Sequence, residues 1–140
     1  MSQQIRYGVI GTGMMGVEHI QNIRALDDCS VTAVADPHAE SLDWAQLAVG
    51  LDTPLATFAT ADELIDSGLC DAVVIATPNS THHGVLTQVI DSGLHVLIEK
   101  PLCTTLADCR DIVDRVAARP SSQVIWMGLE YRYLPPVRRL

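Results

Sequence analysis

Tyr7-Gly8-Val9-Ile10-Gly11-Thr12-Gly13-Met14-Met15-Gly16, written YGVIGTGMMG, carries an apolar run without a break into a glycine-spaced turn. The GxGxxG pattern alone is a weak signal, because glycine-rich corners are common. Its context gives it weight: Ile5 to Ile10 reads as a strand, and Val17, Ile20, Ile23 and Leu26 follow at the spacing of an amphipathic helix. In such a strand-to-helix corner, Gly11 permits the tight turn and Gly13 lets a pyrophosphate approach the backbone. Gly16 lets the helix pack closely on the strand. Thr12, Met14 and Met15 complete the loop, and the helix N-terminus offers free N–H groups and partial positive charge to phosphates.

Outward from this corner, strand and helix patterns alternate. Ser30 to Ala35 is a second strand ending at Asp36, 20 residues beyond Gly16, where a carboxylate can accept hydrogen bonds from ribose hydroxyls. Asp36 could equally cap a turn, since Pro37 follows it; with the glycines, ribose binding is the stronger reading. A carboxylate there repels a 2′-phosphate and no arginine follows closely, so NAD is favoured over NADP. A helix is expected from about Ala39 to Val49, then a short strand near Ala56 to Ala59. Thr60 and Glu63 have the spacing of a capping box.

Asp71 to Ala76 is nearly all apolar, as in a parallel strand covered on both faces. Thr81 is placed to cap a helix running to Ser92 and stopping at Gly93, and His95 to Ile98 is the next strand. Thr105 and Asp108 open another helix, with Leu106, Cys109, Ile112, Val113 and Val116 on one face. Gln123 to Gly128 is the last strand. This alternation predicts an α/β fold: a doubly wound parallel sheet of the Rossmann type, about six strands with helices on both faces.

Composition narrows the function. The chain has 140 residues, 48% hydrophobic and 19% charged, with net charge −8. That is a folded globular composition, and the negative charge with no basic run opposes nucleic acid or an anionic membrane as partner. No apolar run approaches bilayer length, and the N-terminus does not read as a signal peptide, so a cytoplasmic location is expected. Cys29, Cys70, Cys103 and Cys109 form no CxxC pair or zinc spacing, so they read as reduced hydrophobes and no metal is expected.

Two loops leave the third-quarter strands towards one crevice. Thr77-Pro78-Asn79-Ser80-Thr81-His82-His83 follows the strand ending at Ala76, on the side where sheet order should reverse and ligands bind. Asn79 and His82 are candidates for the nicotinamide side, whereas His83 reads as solvated surface. His19, His38 and His95 read as structural or surface residues. Lys100, in LHVLIEKP, is the only lysine beside eight arginines and stands at the carboxyl end of the following strand. An ammonium there could hold a substrate oxygen near the cofactor and stabilise alkoxide character. Glu99 and Pro101 would fix its backbone, and X-Pro chemistry allows a cis Lys100–Pro101 bond.

GTGMMG, ATPNSTHH, GLHVLIEKPLCTT and MGLEYRYLPP together resemble the glucose–fructose oxidoreductase/inositol dehydrogenase (Gfo/Idh/MocA) family over essentially the whole chain. EKP is the most specific of these elements and GxGxxG the least. The resemblance implies NAD(P)-dependent oxidation or reduction of a sugar, cyclitol or similar compound, often by a homo-oligomer. It implies that Gly11, Gly13, Gly16 and Asp36 bind the dinucleotide and that Thr77, Pro78, Asn79 and His82 line the nicotinamide side. Glu99, Lys100 and Pro101 then form the catalytic edge, with Lys100 the family's lysine; His82 is a second catalytic candidate.

Tyr131 and Arg132 match the exit towards a second domain that supplies the substrate pocket. The expected layout is a dinucleotide-binding domain over 1–128, then an exit segment at 129–140 where that second domain would begin. On this reading the chain alone binds cofactor without turnover and leaves a hydrophobic docking face uncovered. The alternatives are a stand-alone NAD-binding or sensing module and, far behind, a methyltransferase, in which EKP and the TPNSTHH loop have no purpose.

Overall fold

The computed structural model describes residues 4–119 and 122–139. The outer ends of the two expected domains, at Met1 and Leu140, lie outside the described residues. Six parallel strands form one sheet: β1 (Ile5–Ile10), β2 (Cys29–Ala35), β3 (Ala56–Phe58), β4 (Ala72–Ile75), β5 (His95–Glu99) and β6 (Ile125–Gly128). Their spatial order is β3-β2-β1-β4-β5-β6. The order therefore reverses between β1 and β4, where Tyr7 to Ile10 pair with Ala72 to Ile75. Five α-helices connect the strands: α1 (Met14–Arg24), α2 (Ala39–Val49), α3 (Ala61–Asp66), α4 (His82–Ser92) and α5 (Leu106–Ala117).

Alternation along each central strand splits the core into two layers. Val9, Val34 and Val74 face α1 and α2, where they pack with Ile20, Ile23, Ala45 and Val49. Ile10, Ala33, Ala35, Val73 and Ile75 face the other side and meet Leu64, Leu86, Val89 and Ile90 of α3 and α4. Both faces of β4 are covered, which is why AVVI carries no polar residue. Each wholly buried Ile or Leu of these layers contributes about 1.5–3 kcal/mol by leaving water.

Local chemistry sets the helix ends. The expected capping box forms: Thr60 Oγ1 accepts the Glu63 N–H at 3.3 Å and Glu63 Oε2 accepts the Thr60 N–H at 3.1 Å. Thr105 caps α5 by accepting the Asp108 N–H at 3.1 Å. Gly93 ends α4 at φ 85°, a left-handed conformation that favours glycine.

Two expectations are corrected. Thr81 stands at the N-cap of α4 but does not cap it. Its hydroxyl turns back to Thr77 Oγ1 and to the carbonyl of Pro78, both at 2.8 Å, and closes a 3-10 turn over Asn79–Thr81. Leu26 lies past the end of α1 and is exposed. The apolar face of α5 is only partly covered: Ile112 is buried, but Leu106 is 67% and Val113 60% exposed. No described element packs on the outer side of α5, so its face opens on a groove of about 420 Å³ against Ile98, Leu102, Ile125 and Met127. An uncovered hydrophobic face is thus present on α5.

Candidate dinucleotide site

The sheet brings the carboxyl ends of β1, β2 and β4 side by side, and a crevice of about 650 Å³ opens there. Gly11, at φ 88°, makes the turn out of β1 in a conformation that an L side chain rarely adopts. A Cβ on it would lie 2.7 Å from the backbone of Ala76, at the end of β4. A Cβ on Gly16 would run into the carbonyl oxygen of Gly11, so this glycine lets α1 start against the loop. Gly13 differs from both. A Cβ there would meet nothing within 4 Å, so its backbone faces open space at the mouth of the crevice.

Gly13 is the N-cap of α1, and no side chain caps the helix or puts an acidic group in its first turn. Free N–H groups and the positive end of the helix dipole therefore face the crevice, as a diphosphate requires. Met14 and Met15 line it with their apolar side chains. Thr12, expected to touch the cofactor, is instead buried, and its backbone N–H donates to Asp36 Oδ2 at 2.9 Å.

Asp36 ends β2, 9% exposed, and lines the crevice. Its Oδ1 accepts the His38 N–H at 2.9 Å and lies 3.1 Å from His38 Nδ1. Burial pushes its pKa up, but the backbone hydrogen bonds from Thr12 and His38, with the His38 ring, more than offset this. The carboxyl is held below its ordinary value. A carboxylate held ionised in this way retains lone pairs for ribose hydroxyls.

The described crevice also takes in Pro37, His38, Ser41, Ala59, Thr60 and Ala61. Sequence reasoning did not assign these to the site; His38 is exposed, as a surface residue should be, and also borders the crevice. Two signals were available. An Asp accepting from the amide two residues on is the common Asx turn. The strand pattern also sets the end of β3 beside that of β2.

Thr77 and Pro78 line the crevice, whereas Asn79, Glu99, Lys100 and Pro101 lie beyond its described limits. Lys100 and Asn79 are exposed at the carboxyl ends of β5 and β4. The Lys100–Pro101 bond is cis. His82 departs from expectation. It is wholly buried, with Nδ1 2.6 Å from the carbonyl of Pro101 and Nε2 3.0 Å from that of Thr77. Neither ring nitrogen is left to meet a nicotinamide or move a substrate proton, so the catalytic expectation for His82 is corrected to that of a bridge between two loops. His19, read as structural or surface, reaches Glu99 Oε1 at 2.7 Å.

His83 lies 2.8 Å from Asp111 and belongs to a polar contact between α4 and α5. The four cysteines are free thiols, and burial pushes Cys103 up to about 11. Among the described residues no cluster of His, Cys, Asp and Glu could hold a metal ion. Nor is any described helix long and apolar enough to cross a membrane.

A parallel sheet in this order, a glycine corner opening an uncapped helix, and a buried acid at the end of β2 define a dinucleotide-binding domain of the Rossmann type. Residues 5–128 match the family described as an oxidoreductase family with an NAD-binding Rossmann fold, Gfo/Idh/MocA, and the chain belongs to it. It is 37% identical to an inositol 2-dehydrogenase of Leifsonia xyli subsp. xyli, over 93% of the chain and 39% of that relative. It is 33% identical to the rhizopine catabolism protein MocA of Rhizobium meliloti, over 98% of the chain and 41% of that relative. The myo-inositol dehydrogenase of Lactobacillus casei, solved with NAD(H) and myo-inositol, superposes with TM-score 0.88 at 29% identity. That match covers 98% of this chain and 40% of the other. The chain spans about two-fifths of the length of the relatives it matches.

Proposed function

We propose that this chain is the NAD(H)-binding part of a cytoplasmic oxidoreductase acting on a hydroxyl or carbonyl carbon of a polyol, sugar or cyclitol, and that alone it binds cofactor without turnover. The observation that carries the reading is the convergence of the open Gly13 backbone, the ionised Asp36 and the Thr77–Pro78 loop on one crevice. The substrate class follows from relatives whose names and bound ligands are inositols, together with a lone lysine at the edge of the site.

In this reading the N-terminus of α1 holds the diphosphate and Asp36 accepts from the ribose hydroxyls. Its carboxylate, already bound by Thr12 and His38, repels a 2′-phosphate. Thr77, Pro78 and Asn79 border the nicotinamide half. The cofactor, when bound, supplies or accepts the hydride. Lys100 donates a hydrogen bond to the substrate oxygen and stabilises the negative charge that grows there, on a segment fixed by Glu99 and Pro101. The second domain expected after residue 128 would close the substrate side and supply an oligomer interface.

Calorimetric titration of the 140-residue chain with NADH and NADPH tests this. The expected result is tighter NADH binding, weakened in Asp36→Ala with the gap to NADPH narrowed. A folded chain that binds neither overturns the reading.

A further inference from the structure

A carboxylate at the end of β5 is held by a histidine of α1, 80 residues earlier in the chain. Glu99 Oε1 lies 2.7 Å from Nε2 of His19 on α1, while Oε2 accepts the backbone N–H of Lys100 at 3.2 Å. Both side chains are largely withdrawn from water, 19% exposed for His19 and 12% for Glu99. A carboxylate so placed needs donors at both oxygens, and the imidazole provides one at the short distance typical of a charged acceptor. The neighbouring strand lies alongside it: Gly128 is the register partner of Glu99, and a Cβ there would stand in ordinary contact with Oε1 at 3.7 Å.

On the other flank, His82 holds the carbonyl of Pro101. Glu99-Lys100-Pro101 is therefore gripped at its first and third residues by imidazoles from two different helices. The exposed lysine stands between them. His19 lies on the helix whose N-terminus faces the crevice, so one rigid element touches both the diphosphate site and the lysine's segment.

We propose that His19, acting through Glu99, is a positioning residue for Lys100: it ties the diphosphate-binding helix to the segment that aims the ammonium, so cofactor and lysine keep a fixed relation. The proposal rests on the reading of Lys100 given above. Without His19 the Glu99 carboxylate keeps one backbone partner, is free to turn, and Lys100 loses its fixed direction.

The single lysine makes this directly measurable. Reductive methylation with isotopically labelled formaldehyde marks Lys100 and the α-amino group, and the latter is recognised by its titration at about 7.7–8.0. The parent chain should give one Lys100 resonance that moves when NADH is added. In His19→Ala that resonance should be displaced or split in the free protein, and its response to NADH lost. NADH affinity should stay within about threefold, less than the tenfold that 1.4 kcal/mol of lost contact costs. His19→Gln, whose amide can still donate to Glu99, should restore the parent position; a helix residue that only fills space would not be rescued in this way.

An unchanged Lys100 resonance in folded His19→Ala, or no rescue by His19→Gln, overturns the proposal. His19→Leu, which keeps bulk without a donor, replaces His19→Ala if the latter does not fold. Failure of both to fold while His19→Gln folds assigns His19 to stability and also overturns it. A parent chain that binds no NADH overturns the cofactor reading alone, because the comparison of Lys100 in the free proteins still stands.

Discussion

Replacing Gly13 by alanine should separate binding from folding. Gly13 has φ −67° and ψ −165°, a conformation open to any L-residue, and its Cβ would meet no atom within 4 Å. Two small effects on stability oppose each other. Alanine restricts the unfolded chain, which favours folding by about 0.4–1 kcal/mol. As the N-cap of α1 it is poorer than glycine by roughly 0.5–1 kcal/mol. The net change is within about 0.5 kcal/mol, a shift of about 2 °C or less in a domain of this size.

Binding should respond differently, because the methyl group occupies the space that a phosphate oxygen needs. Losing one charge-assisted N–H hydrogen bond removes about 1.5–3 kcal/mol, or roughly 10- to 150-fold in affinity. Gly16→Ala is the contrast. Its Cβ would run into Gly11 backbone, at 2.9 Å from the carbonyl carbon, so α1 must move and stability should fall with binding. Thermal melts read beside calorimetric NADH titrations distinguish the two. A Gly13→Ala chain that melts normally and binds NADH as tightly as the parent would refute a diphosphate over Gly13. A large loss of stability would refute the open space.

Further outcomes follow from other parts of the fold. The Arg6 guanidinium, with its hydrogen bonds at 2.7 and 3.1 Å, holds the Asp71 carboxyl down to about 2. Because the folded value is depressed, the stability from this pair is present above the ordinary value of 3.8 and is lost as pH falls towards 2. The melting-temperature gap between the parent and Asp71→Asn should therefore close over that window. Ile112→Ala should cost about 2–5 kcal/mol in denaturant unfolding, against about 0.5 kcal/mol or less for Leu106→Gln, at the start of the same helix on the uncovered part of its face. Thr60→Ala, which removes one half of the capping box, should cost about 0.5–2 kcal/mol in the same measurement.

Much of the fold was legible because a parallel sheet writes itself locally. Strands covered on both faces become unbroken apolar runs, and the corners between strands and helices need glycines or capping pairs at fixed spacing. The burial of α5 was not legible for a related reason. Periodicity states that Leu106, Ile112, Val113 and Val116 share a side, but whether that side is covered depends on elements elsewhere. The turn over Asn79–Thr81 was also missed, since a threonine hydroxyl can cap forward or bond backward, and the choice belongs to the loop geometry.

The candidate site divides along the same line. The positions of Gly11, Gly13, Gly16 and Asp36 in the strand-to-helix corner and at a strand end could be read from spacing, because they follow from the turn itself. The histidines could not, because an imidazole takes its role from whatever other elements bring to its two nitrogens. His82 looked available in a loop sequence, yet two backbone carbonyls occupy it; His19 read only as structural or surface, and its partner Glu99 lies 80 residues on. Lys100 stood out as the sole lysine, at a strand end and inside the EKP element. A residue that acts through its own side chain can be found by its type and rarity. Residues proposed to aim it are ordinary in type, and the His19–Glu99 contact between distant segments is what singles them out.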